Sequence, residues 1–293
     1  MRFGYVSMNS AVGIRPDVLG RELEDRGFES MWVPEHSHIP VARTSPYPSG
    51  GELPIGYLHM MDPLVSLTAA AVATTRLVVA TGVCLLLEHG LAEFAGAAAT
   101  LDQLSNGRLL LGVGVGWNRE ELADHRPELP FAQRYSALIE RMDALRTIWG
   151  NDEPVIDGTW DKLSPSWVYP KPVHGRIPFA MGNAGPVGMA LAARHADQWC
   201  PIDTALPLRD GKPDVAGAVE QFRTMVADAG RDPASVPITV FSFSRPTPAR
   251  MARYAALDLE RVVLAFPHAE LSEPDDTVRH LDELTPILAE FGG

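Results

Sequence analysis

Leu91–Asn118 reads LAEFAGAAATLDQLSNGRLLLGVGVGWN. Leu91–Ser105 is Ala-rich and has the spacing of a helix. Arg108–Val115 is a short apolar run of strand length, and Gly112-Val113-Gly114-Val115-Gly116-Trp117-Asn118 closes it in glycine. The run is continuous rather than alternating, which fits a strand covered on both faces, as in a parallel sheet wrapped by helices.

The same unit recurs on both sides. Phe3–Met8 precedes a helix near Arg15–Arg26 closed by Gly27, and Phe28–Pro34 runs into Glu35-His36. Asp62 and Pro63 have the N-cap and first-turn chemistry of a helix reaching about Thr75. Leu77–Leu87 reads as the next buried strand, and helical material fills the chain from the glycine exit to Trp149. Ile177–Met181, Asp197–Cys200, Pro237–Ser242 and Arg261–Phe266 read as the later strands. Their helices fall near Pro186–His195, Val215–Ala229, Pro248–Leu257 and Asp275–Glu290. About eight strand–helix units predict a closed (β/α)₈ barrel filling residues 1–293 as one domain, with an open doubly wound sheet as the alternative. Two insertions, about 36–61 and 151–176, are long enough to be lids or binding loops. Since loops after strands form the catalytic face of such a barrel, the first should overhang the site. In the second, Gly158-Thr159-Trp160 and Trp167-Val168-Tyr169 suggest a small hairpin.

Composition narrows the partners. The chain has 293 residues, 46% hydrophobic and 21% charged, enough for a large core, and a formal net charge of −12. That charge argues against nucleic acid and anionic membrane surfaces as partners. It leaves room for an anionic cofactor held by local donors. The N-terminus runs straight into a strand-like segment without a secretory pattern, and no stretch is apolar over membrane-spanning length, so a cytoplasmic enzyme acting on a small molecule is expected. Cys84 and Cys200 sit in apolar runs and read as buried thiols rather than a bridge.

Three places can carry chemistry. The glycines of 112–118 either let a flat ring approach the main chain or serve tight packing; a dinucleotide fingerprint is excluded by Trp117 at its third glycine position. Gly182-Asn183-Ala184-Gly185-Pro186 leads from a strand into a helix, either as an ordinary turn or as an anion pocket of free amides supported by the helix dipole. Glu35-His36-Ser37-His38 opens the first insertion. His36 there can move a proton near neutral pH, or His36 and His38 could ligate a metal, a reading that finds only Asp203 as a further ligand at later strand ends. No metal is therefore expected. A Gly-x-Ser-x-Gly elbow is absent, and Asp275-Asp276 reads as a solvated helix start.

Several segments together resemble the luciferase-like monooxygenase superfamily, above all its deazaflavin-dependent branch: Thr74–Leu77 with Ala80–Val83, Ala99–Arg108 continuing through Leu111–Glu121, Pro170–Val173, Gly182–Pro186, and Ala192-Ala193 with Ala196–Trp199. The resemblance implies a variant barrel, a homodimer, and coenzyme F420 or FMN at the C-terminal mouth. It implies that the ring lies against Thr81, Gly82 and Val83, with Gly82-Val83 as a non-proline cis peptide, and against the backbone of Val115, Gly116 and Trp117. It places the phosphate on Gly182, Asn183, Ala184 and Gly185, and His36 beside the reacting carbon. F420-dependent hydride transfer is the implied reaction; FMN-dependent monooxygenation and non-catalytic flavin binding are the alternatives within the superfamily. Trp117 stands where the sugar-phosphate dehydrogenases of this branch carry a catalytic carboxylate, so that activity is not carried over. Asn183 replaces a commoner glycine, and Gly96-Ala97 a common lysine–glutamate pair.

Overall fold

The computed structural model describes residues 1–265 and 273–292. Eight parallel strands lie in the order β7-β8-β1-β2-β3-β4-β5-β6, where β1 is Arg2–Val6, β2 Ser30–Val33, β3 Val78–Thr81, β4 Leu109–Val113, β5 Phe179–Met181, β6 Gln198–Trp199, β7 Thr239–Ser242 and β8 Arg261–Ala265. Parallel bridges from Trp199 to Ile238 and from Ile202 to Phe241 join the two ends, so the sheet closes on itself. The barrel is confirmed over the open sheet.

Side chains fill the lumen from each strand or its end: Val6, Trp32, Ala80, Leu110, Ala180, Cys200, Phe241 and Val263 form one buried cluster. Small Ala80, Ala180 and Cys200 leave space for Trp32 and Phe241, whose rings meet edge to face at 5.1 Å. The Trp32 indole donates to Ser30 Oγ at 2.9 Å, satisfying its one buried donor. The lumen is a packed core, and chemistry is confined to the mouth. At Gly112 a Cβ would lie 2.0 Å from the Thr81 carbonyl oxygen, so this glycine is required for β3 and β4 to close.

The helices are α1 Pro16–Asp25, α2 Pro63–Ala73, α3 Leu91–Ser105, α4 Arg119–His125, α5 Arg134–Gly150, α6 Pro186–His195, α7 Val215–Asp228, α8 Pro248–Ala255 and α9 Pro274–Phe291. Asp62 caps α2 as expected, accepting from the Val65 amide at 2.9 Å, and Asp275-Asp276 lie in the first turn of α9. Their barrel-facing sides pack against the strands in a second, larger core. Both cysteines are free and buried.

Several boundaries differ from the sequence reading. The apolar run to Leu87 is not one strand: β3 stops at Thr81, the Gly82-Val83 peptide is cis, and Leu86–Glu88 turns as a 3₁₀ helix. Burial keeps the run apolar without a ladder. The helical material before Trp149 is two helices, α4 and α5. The second insertion does contain a hairpin, but its strands are Ile156–Asp157 and Lys162–Leu163; Trp167-Val168-Tyr169 is extended chain outside it, with Trp167 and Tyr169 exposed. A second ribbon, Leu208–Arg209 with Lys212–Pro213, was not foreseen. Phe266, read as the end of the last strand, lies outside the described residues.

Arg141 of α5 ties the second insertion to the barrel mouth. Its guanidinium meets Asp161 through two bonds of 2.7 Å, and Nη1 donates to the carbonyls of Leu86 and His89 at 2.8 and 2.7 Å. Both side chains are buried, at 3% and 4% exposure. Removing the cation leaves two carbonyls without a donor and the buried Asp161 with only Arg126, 3.7 Å away. Arg141→Met should therefore destabilise the fold by about 3–5 kcal/mol. Urea unfolding checks this, and a loss below about 1 kcal/mol would show that water can replace the guanidinium.

Candidate active site

The strand ends bring the expected residues to one rim. His36 follows β2, Gly82-Val83 follows β3, Gly116-Trp117 follows β4, and Gly182–Gly185 follows β5. Val83 sits at the centre of the last three: a Cβ on Gly114 would lie 2.5 Å from Val83 Cγ2, and one on Gly182 would lie 2.7 Å from Val83 Cγ1. The two glycines thus have a packing reason independent of any ligand. Gly116 has φ +69°, which favours glycine. Thr81 is buried and its hydroxyl donates to the Gly112 carbonyl at 2.7 Å, so only its backbone is left to face the mouth.

The His36 imidazole is held at both nitrogens. Trp117 Nε1 lies 3.0 Å from Nε2, and Glu121 Oε2 lies 2.5 Å from Nδ1. An indole N–H can only donate, so Nε2 is the acceptor and the ring proton sits on Nδ1, donated to Glu121. The side chains of His36 and Glu121 are 7% and 0% exposed. Tyr57 of the first insertion packs at 5.4 Å from the imidazole, and Tyr47 packs on both Tyr57 and Trp117. The insertion does lie over His36. A cavity of about 600 Å³ opens within the insertion, lined by Arg43, Thr44, Pro46, Tyr47, Leu53 and Leu58 among others. His59 is exposed on the insertion, and no contact among the described residues brings Trp160 to this aromatic group; Trp160 belongs to the hairpin turn held by Glu140.

Sequence reasoning missed the acids behind His36. Glu121 also accepts from the Ser37 amide at 3.0 Å. Asn118 and Glu121 have the spacing of a capping box, and the Asn118 side chain does accept from the Glu121 amide. The Glu121 carboxylate, however, turns away to His36. Glu35 is buried and takes His89 Nε2 at 2.7 Å and the Leu85 amide at 2.7 Å. Burial opposes its charge, but these donors and Cys84 hold its pKa below the usual carboxylate range. Burial likewise opposes the charged His89, and the hydrogen bond and charge of Glu35 override it, raising its pKa. Glu35, Cys84 and His89 gather closely, and the Glu35–His89 hydrogen bond of 2.7 Å links two of the three. Glu88 stands apart: burial, then the carboxylates of Glu121 and Glu35, push its pKa up to about 10. His38, the other sequence-level ligand candidate, faces Asp124 on the surface.

At the second anion-competent place, Gly185 caps α6 with Pro186 at its first position. Among the described residues, the amides of Ala184, Gly185, Val187 and Gly188 donate to no protein group. A Cβ on Gly185 would meet nothing within 4 Å, and its φ of −78° suits any residue. The fold itself does not ask for glycine there. Asn183 Nδ2 donates to Tyr135 at 3.2 Å, while its Oδ1 is buried without a partner.

Comparison with known proteins agrees with this arrangement. The model of the luciferase-like monooxygenase family matches residues 18–285. The chain belongs to that family. An uncharacterized protein of Mycobacterium tuberculosis is 37% identical over 293 residues, 99% of each chain. The F420-dependent glucose-6-phosphate dehydrogenase of Amycolatopsis mediterranei is 30% identical over 237 residues, 79% of this chain and 67% of that one. Among solved structures, an F420-dependent secondary alcohol dehydrogenase in complex with an F420–acetone adduct has a similar fold, with a TM-score of 0.74, 17% identity, and coverage of 100% and 99%. Membership of the luciferase-like family makes the chain an oxidoreductase. Among the described residues no helix is long and apolar enough to cross a membrane.

The Glu35–His89 pair gives stability a pH signature. His89 is raised above 6.5, so its contribution is full below 6.5 and is lost as pH rises through the folded value. Glu35 is lowered below 4.5, so its contribution is present above 4.5 and is lost as pH falls through the folded value. His89→Gln should remove the alkaline limb. Urea midpoints measured from pH 6 to 9 should decline more steeply in the parent than in the variant, and parallel curves would refute the pairing.

Proposed function

We propose that this protein is a coenzyme F420-dependent oxidoreductase that moves a hydride to or from a small organic substrate at the barrel mouth. The observation that carries the reading is the hydrogen bonding of His36: Glu121 takes Nδ1, and Nε2 is an acceptor that holds the Trp117 indole N–H in this structure. The F420-dependent relative supports the deazaflavin over FMN. When bound, the cofactor supplies or accepts the hydride, and the protein supplies position and the proton.

The residues present fit such a group. The free amides at the start of α6, with the helix dipole behind them, suit a phosphate, and the unconstrained Gly185 leaves room for one. The resemblance puts that phosphate on Gly182, Asn183, Ala184 and Gly185, and the ring against the backbone of Gly82, Val83, Val115, Gly116 and Trp117. In substrate oxidation Nε2 takes the hydroxyl proton while Glu121 stays paired with Nδ1–H; in reduction the transfer reverses. Trp117 now occupies Nε2, so a substrate hydroxyl takes the place of its indole N–H. Tyr47 and Tyr57 supply an aromatic wall for an apolar substrate portion.

His36→Asn should lower turnover by roughly 10²-fold or more while leaving cofactor affinity little changed. Gly185→Asp should do the reverse, weakening cofactor binding about thirtyfold or more through a like charge beside the phosphate. Titration of the protein with F420 and with FMN checks the affinities, and the rate at which bound F420 changes absorbance with candidate alcohols checks the turnover. Preference for FMN, or His36→Asn turning over normally, would overturn the reading.

A further inference from the structure

The Glu88 carboxyl has no counterpart in the scheme above. It closes the 3₁₀ turn Leu86–Glu88 after β3, and its side chain is 4% exposed. It lies directly behind the glycine exit of β4: a Cβ on Gly116 would come within 3.8 Å of Glu88 Oε1. Its Oε2 is buried without a hydrogen-bond partner, and His125 Nε2 on α4 is 3.9 Å away, beyond bonding distance and engaged with Ser37 Oγ at 2.6 Å. The groups facing it are Glu121 and Glu35, both buried, with His125 on α4 and His89 next in sequence. Arg141 on α5 passes nearby but is bonded to Asp161 and to the Leu86 and His89 carbonyls.

An ionised carboxylate here would be a buried charge with neither a cation nor a donor, facing two further buried carboxylates. Two carboxylates cannot bond to each other, because both only accept; a carboxylic acid and a carboxylate can, because the acid donates. We infer that Glu88 keeps its proton at neutral pH and donates it to Glu121, making it a positioning residue that holds the Glu121 carboxylate against Nδ1 of His36. The Glu121 acceptor sites are then filled from three sides by Glu88, the Ser37 amide and His36. Burial and the neighbouring carboxylates raise its pKa to about 10, in keeping with that state. The inference rests on the proposed proton-handling role of His36 only for its significance; the protonation and the hydrogen bond concern the protein alone.

The experiment uses the full chain without cofactor. Carboxyl carbons are observed by NMR with ¹³C-labelled glutamate at pH 7, with Glu88→Gln to assign the signal. One glutamate carboxyl should have the signature of a protonated acid, and it should vanish in E88Q. In parallel, the Nδ1–H resonance of His36, assigned by its loss in His36→Asn, is followed in E88Q and Glu88→Leu. Glutamine keeps a neutral donor of the same length, so the resonance should persist at its parental position. Leucine fills the space without a donor, so the resonance should move or exchange away. A space-filling role would make leucine harmless and overturn the inference, as would the absence of a protonated glutamate in the parent at pH 7. Should E88Q fail to fold, loss of the signal in Glu88→Leu assigns it instead. Failure of F420 to bind would sink the proposed function and leave these readouts untouched.

Discussion

Glu121 is a fully buried carboxylate, and a buried charge is tolerable only where donors surround it. Its donors come from the segment after β2, as the His36 ring and the Ser37 amide. Its backbone is fixed by the Asn118 cap at the end of the β4 glycine run. The requirement to satisfy this one group therefore welds the start of the first insertion to α4. Once His36 is fixed, Trp117 and Tyr57 pack on it, and Tyr47 bridges the two. The order of the mouth on this side follows from a polar constraint, with aromatic packing built on top of it.

The other side of the mouth is governed by shape. Val83 projects toward Gly114 and Gly182, and the close approach of β3 to β4 needs Gly112. Three glycines that resemble ligand-binding signals in the sequence are thus explained by close packing, Gly112 against the Thr81 backbone and Gly114 and Gly182 against the Val83 side chain. Gly116 and Gly185 differ from them. The first adopts a positive φ at the exit, and the second has open space where a side chain would go. Packing explains one class, and only conformation or a ligand explains the other, and the sequence writes both with the same residue.

The barrel is legible because its strands are continuously apolar and several of its helices carry Pro at the first position, as Pro16, Pro63, Pro186, Pro248 and Pro274 do. Hydrophobicity does not distinguish a buried strand from a buried turn, so the sequence reads as one strand over Leu77–Leu87 where β3 stops at Thr81. His36 and its location were legible from the strand end. Its chemical state was not, since that depends on Glu121, 85 positions away. The acidic residues were the main blind spot. Glu120-Glu121 looks like the acidic first turn of any helix, and Glu88 sits unmarked in Leu85-Leu86-Leu87-Glu88-His89. A lone acid inside an apolar run was the available signal, because charge placed among residues destined for burial needs a partner or a proton.

The two sides of the mouth have opposite electrostatic character, and this bears on how an anionic cofactor would lie. Glu35, Glu88 and Glu121 stand behind the β2–β4 rim, whereas unbonded amides and the positive end of α6 stand beyond β5. In a chain of net charge −12, an anionic tail placed near the acids would be repelled, and one placed at α6 would be drawn in by local dipoles. On the proposed reading the polarity of the mouth itself sets the direction of the cofactor, phosphate at α6 and ring toward Gly116 and His36. A protonated Glu88 strengthens that arrangement. It keeps the hydrogen bond to Glu121 while leaving only Glu35 and Glu121 charged behind the ring, so the repulsion met by an electron-rich ring comes from two buried carboxylates instead of three.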